Sequence, residues 1–264
     1  MGFKNETDRF DQHFLVDQKI IDRFVLEANL TNNDVVVEIG PGNGNITKLI
    51  ASKVKKLYVI EIDERLKQFL EPITHDYKNI ELIFNNVLDT FIPECDKIIT
   101  SLPYSIVEPF INKLIKCQFK ELTMITGSRF AENVLANKKT KLSLLTNCYF
   151  EIEKIMDIIP ESFNPKPRVM SSMIRLRPKE VSNIEEKELI IFRFLFYFRE
   201  KKLKNALTES LIKQAKINDK CLTQKEAKKI IDNLNIDLDL LEKEFMLFSN
   251  EELEYLFKKI NLLN

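Results

Sequence analysis

Two short stretches of this 264-residue chain carry residue types that could do chemistry together. The first is Glu38-Ile39-Gly40-Pro41-Gly42-Asn43-Gly44, where glycines at alternate positions would let backbone approach a ligand closely at a strand-to-helix turn. A nicotinamide-type GxGxxG pattern would need its third glycine at position 45, and Asn45 stands there. Glu61 ends a second apolar run about 20 residues on, where a carboxylate can accept hydrogen bonds from both hydroxyls of a ribose. The pair points to a nucleoside-bearing cofactor. The second stretch is Ser101-Leu102-Pro103-Tyr104. Its proline fixes a turn, so that the Leu102 carbonyl and the Ser101 hydroxyl can face a pocket. Tyr104 offers a flat face on which a base could stack. The exocyclic amine of adenine is a poor nucleophile, because its lone pair is delocalised into the ring. Acceptors on its two hydrogens would draw the nitrogen toward a tetrahedral shape and aim that lone pair at an electrophilic methyl group. This is catalysis by positioning and electrostatics, and it needs no strong base. A base reached in this way must first leave its stack.

The elements that would position these residues follow from periodicity. Residues 17–29 carry apolar side chains at helical spacing. VVVEIG (35–40) is a short β-branched run ending in glycine, as buried parallel strands do. A helix is expected from about Thr47, a second strand over 56–63, and a helix through ERLKQFLEPI. Further strands are expected at 80–85, 97–102 and 121–127, with helices through EPFINKLIKC and over 128–139. Strands alternating with helices predict an α/β fold with a parallel sheet covered on both faces. Right-handed crossovers would then bring Gly40, Glu61 and Leu102 to one sheet edge, where ligands bind in such folds. From about residue 182 the pattern is helical to the end. A boundary is therefore expected near Pro178, dividing a catalytic domain (1–178) from a small all-helical domain (179–264).

Composition narrows the class. Forty Lys and Arg balance forty Asp and Glu, so any polyanion partner must be met by local clusters and not by net charge. Such clusters occur at Lys166, Arg168, Arg175, Arg177 and Lys179, and at Arg199, Lys201, Lys202 and Lys204; ordinary solvated faces would look the same. The four cysteines are far apart and form no CxxC pair, which leaves neither a metal site nor a redox motif to read. No apolar run approaches a membrane span, and the first residues lack the apolar core of a signal peptide. A cytoplasmic location is expected.

Five segments, in order, resemble the rRNA adenine N6-dimethyltransferases, a family that includes the KsgA-type small-subunit enzymes and the Erm macrolide-resistance enzymes. They are Gln12-His13-Phe14-Leu15, EIGPGNG, VIEID, SLPY and Pro160-Glu161-Ser162-Phe163-Asn164-Pro165-Lys166-Pro167-Arg168-Val169. The resemblance covers roughly residues 9–210 and implies a Rossmann-like catalytic domain with S-adenosyl-L-methionine as methyl donor. It implies that Gln12, His13 and Leu15 line the methionine end of the cofactor. Gly40 and Gly42 would lie beneath it, Glu61 and Ile62 at its ribose, and Asn86 and Val87 at its adenine. Ser101, Leu102, Pro103 and Tyr104 would hold the target base, Ser101 touching the cofactor as well, with Phe163 flanking the base opposite Tyr104. Two positions depart from the family pattern. Asn86 replaces an aspartate, although an amide oxygen can still accept from the cofactor's amine; Asp89 is a possible substitute at a different offset. Ser101 replaces an asparagine and sets the acceptor oxygen on a shorter arm, as in some amino-methylating DNA enzymes. FREKKLKNAL (198–207) is more similar to the basic helix of the small-subunit branch, which implies phosphate contacts and recognition of RNA shape by a monomer. Two alternatives stand beside a small-subunit rRNA dimethyltransferase. One is an Erm-like large-subunit enzyme. The other is a ribosome-assembly factor that kept the fold with impaired catalysis.

Overall fold

The computed structural model describes residues 12–136, 138, 140–179 and 186–262. It opens with a two-residue strand, β1 (Phe14–Leu15), and with α1 (Gln18–Glu27), whose N-cap Asp17 accepts the Lys19 N–H. The β-branched run forms β2 (Val35–Ile39), and the glycine turn after it feeds α2 (Asn45–Ala51). β3 (Lys56–Glu61), α3 (Lys67–Asp76), β4 (Ile80–Phe84), β5 (Lys97–Ser101), α4 (Val107–Leu114), β6 (Glu121–Gly127) and α5 (Ser128–Leu135) follow in the expected alternation. The five strands β2 to β6 pair in parallel in the order β4-β3-β2-β5-β6. Consecutive residues such as Val36 and Val37, or Ile98 and Ile99, are all buried, as a sheet covered on both faces requires. The carboxyl ends of β2, β3 and β5 therefore deliver Gly40, Glu61 and Leu102 to one edge.

After α6 (Lys141–Tyr149), two further strands extend this sheet beyond the expected five. β7 (Phe150–Ile158) and β9 (Ser171–Pro178) run antiparallel to each other, and β9 also runs antiparallel to β6. Arg175 in β9 is only 5% exposed. Its guanidinium donates to Glu27 Oε2 and Glu153 Oε2, each at 2.8 Å, and lies 3.4 Å from Glu121 Oε1, which joins α1, β6 and β7. Between β7 and β9 the short strand β8 (Phe163–Asn164) turns away from the sheet and pairs with β1, Phe14 opposite Asn164 and Leu15 opposite Phe163. The Asn164–Pro165 peptide is cis.

The chain forms two compact units, residues 1–136 with 150–178, and residues 137–149 with 179–264. The change at Pro178 coincides with the expected boundary. A single cut there does not describe the division, because α6 belongs to the second unit. The reason is its buried face: Tyr149 meets Phe257 edge-on at 5.3 Å, within the helical unit. That unit contains α7 (Glu186–Tyr197), α8 (Leu203–Ile217), α9 (Gln224–Asn233), α10 (Leu238–Glu242) and α11 (Asn250–Ile260). Its core stacks Phe192 on Phe257 with ring centroids 3.5 Å apart and gathers Phe196, Phe245 and Phe248. Capping boxes at Thr223/Glu226 and Ser249/Glu252 start α9 and α11. Among the described residues no helix is long and apolar enough to cross a membrane.

Candidate active site

At the carboxyl edge of the parallel strands the first unit holds a cavity of about 330 Å³. Every site residue expected from the sequence lines it: Gln12, His13 and Leu15 from the N-terminal segment, Gly40 and Gly42 from the first turn, and Glu61 and Ile62 from the second. Asn86 and Val87 follow β4, Ser101 to Tyr104 follow β5, and Phe163 comes from β8. Phe14, Asn43, Asn45, Asn85, Ile125 and Ser171 line it too and were not expected. Phe14 lay within a quoted segment. Ser171 had only its place after the proline-rich loop as a signal.

The glycine turn is built for close approach. Gly40 donates to the Ile60 carbonyl at 3.0 Å, which ties the turn to β3. Gly42 has φ +59°, and a β-carbon there would stand 2.7 Å from Cδ1 of Phe14. Glycine is therefore required for conformation and for space alike. Glu61, 3% exposed, is oriented by backbone donors: Ile62 and Asp63 N–H on Oε1 at 2.9 Å each, and Gly42 N–H on Oε2 at 3.4 Å. Burial raises the Glu61 pKa above the ordinary carboxylate value, and these N–H groups oppose that rise. Asp63 beside it is held below the ordinary value, chiefly by the Arg65 guanidinium. Oε1 thus has both lone pairs engaged, and Oε2 keeps one for a ligand in the cavity that Glu61 lines.

Asn86 has a local role as well. Its Oδ1 accepts the Leu88 N–H at 3.0 Å, and its Nδ2 donates to Asp89 Oδ2 at 2.9 Å. The second lone pair of Oδ1 remains for a ligand. Asp89, weighed as a substitute, is exposed and does not line the cavity. Across the cavity, Leu102 N–H donates to the Ile125 carbonyl at 3.2 Å and Ile106 N–H to the Pro103 carbonyl at 3.2 Å, which set the turn. The Ser101 hydroxyl makes no hydrogen bond among the described residues, so an acceptor oxygen stands at the end of β5. The wall carrying Phe163 is fastened to the N-terminal segment by the β1–β8 pair, by His13 Nδ1 donating to the Pro165 carbonyl at 2.7 Å, and by Val16 N–H on the Ser162 carbonyl at 2.9 Å.

The glycine cradle, the backbone-held carboxylate beside it on the sheet edge and the cavity's size suit a nucleoside cofactor of the S-adenosylmethionine kind. The wider chain compares in the same direction. The chain is 30% identical over 251 residues to a probable ribosomal RNA small subunit methyltransferase A from Methanococcus vannielii, covering 92% of each. It is 39% identical over 219 residues to a protein of the same name from Methanosarcina barkeri, covering 80% of this chain and 76% of that one. Among solved structures, a dimethyladenosine transferase from Plasmodium falciparum superposes with a TM-score of 0.74 at 26% identity, covering 94% of this chain and 96% of that one. The 23S rRNA methyltransferase ErmE shares the fold, with a TM-score of 0.64 at 22% identity over 94% and 99% of the two chains. The family model described as ribosomal RNA adenine dimethylase matches residues 3–246, and the chain belongs to that family.

Proposed function

We propose that this protein transfers methyl groups from S-adenosyl-L-methionine to the N6 amine of an adenine in small-subunit ribosomal RNA, as a cytoplasmic monomer acting on a precursor particle. The observation that carries this reading is the convergence, in one cavity, of the glycine turn with Glu61 and of the Ser-Leu-Pro-Tyr turn with Phe163. When bound, S-adenosylmethionine supplies an electrophilic methyl group. Gly40 and Gly42 let it approach the backbone, and Glu61 accepts from its ribose hydroxyls. Asn86 Oδ1 accepts from its adenine amine, while His13 and Leu15 close the methionine end. Tyr104 and Phe163 hold the flipped target base between them. The Leu102 carbonyl and Ser101 hydroxyl accept the two amine hydrogens and aim the nitrogen lone pair.

The small subunit is favoured by the names of the relatives that match over most of both chains. The test is transfer of labelled methyl from S-adenosylmethionine to unmethylated small and large ribosomal subunits, followed by nucleoside analysis. Label recovered as N6-dimethyladenine in small-subunit RNA is the expected result, and Tyr104→Ala abolishes it. Label confined to large-subunit RNA moves the assignment to the Erm-like alternative. Cofactor binding with no label on either subunit overturns the catalytic reading and leaves an assembly factor.

A further inference from the structure

The phenol of Tyr104 is held at two points that the proposed reaction does not itself require. Its hydroxyl is hydrogen-bonded to Ser171 Oγ at 2.8 Å. Its ring lies on Gly127, where a β-carbon would stand 3.1, 3.2 and 3.2 Å from Cδ1, Cε1 and Cγ. These three carbons are consecutive around the ring. Near-equal distances to them mean a face-on approach, since an edge-on one would leave the two flanking carbons clearly farther than the middle one. Gly127 and Ser171 are direct cross-strand partners in the β6–β9 ladder. Gly127 has φ −60°, a conformation open to any residue, so the position needs glycine for space under the ring and not for backbone freedom. Ser171 is 1% exposed, which makes its hydroxyl a fixed anchor.

We propose that Gly127 and Ser171 act together as positioning residues, a cross-strand clamp that seats one face of Tyr104 and ties its tip, leaving the other face as a preset platform for the target base. The inference rests on the reading of Tyr104 as that platform. A clamped ring has lost its freedom before the base arrives, so stacking costs less and the amine is presented at one height above the Leu102 carbonyl. The antiparallel strand β9 thereby has a task in the site although it carries no reacting group.

The full chain, tested on the ribosomal subunit it methylates, separates this from a general loss of structure. Ser171→Ala and Tyr104→Phe each remove the same hydrogen bond, and each lowers kcat about three- to tenfold. The double variant is no slower than either single one, because one bond is lost once. Gly127→Ala, which pushes the ring off its seat, lowers kcat about 10- to 100-fold. Affinity for S-adenosylmethionine, measured by calorimetry, stays within about twofold in all of them, since none touches the glycine turn or Glu61. A second readout does not depend on turnover. In protein carrying tyrosine labelled with 13C at Cζ, with the Tyr104 signal identified by its absence in Tyr104→Phe, that signal moves in Ser171→Ala, because the phenol has lost its hydrogen-bond partner. Multiplicative losses in the double variant, or full activity in Gly127→Ala, overturn the clamp. A Tyr104 Cζ signal unmoved by Ser171→Ala overturns it too, whatever the activity. Full activity in Tyr104→Ala instead removes the platform reading, while a Cζ signal moved by Ser171→Ala still establishes the tie to Ser171.

Discussion

Glu38 is the residue whose surroundings are least ordinary. It lies in β2 beneath the glycine turn, 2% exposed, beside the buried Thr47 hydroxyl, which opposes part of the effect of burial. Burial, with the Glu61 carboxylate adding to it, pushes the Glu38 pKa from 4.5 up to about 8. The folded chain therefore keeps this proton where the unfolded chain has lost it. The group's contribution to stability is full below about 4.5 and falls by about 1.4 kcal/mol per pH unit up to about 8, with no further loss above. Glu38→Gln, a shape-matched neutral side chain, flattens that fall. Denaturant unfolding of both chains between about pH 5 and pH 8 reads it directly. Equal slopes for the two would show that Glu38 does not titrate in this window. At this scale the site was largely readable: glycine spacing, Glu61 and the Ser-Leu-Pro-Tyr turn announce themselves by residue type. Glu38 and Ser171 did not, because a glutamate in an apolar strand and a serine after a proline-rich loop acquire meaning only from neighbours distant in sequence.

Among the elements, the parallel half of the sheet was evident from runs of β-branched residues, whereas β7 and β9 were missed. β7 alternates apolar residues with Glu151, Glu153 and Asp157, and β9 is interrupted by two arginines, so neither reads as a buried run. Arg175 is buried only because three carboxylates from α1, β6 and β7 meet it, a partnership no local pattern reveals. Within the positive charge at 166–179, Arg175 is consequently buried and most of the rest is paired, with Arg168 exposed. Lys166 pairs with Glu161, Arg175 with its three acids, Arg177 with Glu121 and Lys179 with Glu254. The second cluster is compensated as well: Lys201 pairs with Glu209, and Lys202 and Lys204 both pair with Glu242, holding its carboxyl down at about 2. These latter pairs are exposed and weak enough for phosphates to displace. The buried network differs. Arg175→Ala removes the buried cation shared by Glu27, Glu121 and Glu153, leaving Glu27 to Arg23 and Glu121 to Arg177, and destabilises the first unit by about 2 kcal/mol. Equilibrium unfolding in urea measures this; a loss well under 1 kcal/mol would mean that water replaces the guanidinium.

For the whole molecule, the chain crosses between its two units three times, after Ala136, after Tyr149 and after Pro178. Pro178 was visible as a change from mixed to helical patterning. The earlier excursion was not, since no helix is expected over 141–149 and only its partners assign α6 to the second unit. Leu144 and Leu145 of α6 are buried, and α6 packs with α11. A chain ending at Pro178 therefore keeps α6 but removes α11 from it. Such a truncated chain is expected to expose this apolar face, bind a hydrophobic dye and melt below the full chain. A soluble 1–178 fragment melting at the full-length temperature would show that α6 needs no partner.

The wall of the cavity is closed by a pairing of residues 152 positions apart, His13 with Pro165, alongside the β1–β8 pair. Closing so long a loop is slow compared with forming the contiguous strands and helices between Val35 and Leu135. During synthesis, the glycine turn and its carboxylate can thus be in place while residues 12–15 wait for partners the ribosome has yet to add. The nascent chain passes most of its elongation without a finished pocket. A protein of a family that methylates ribosomal RNA has its pocket complete only once its own translation has run past Ser171.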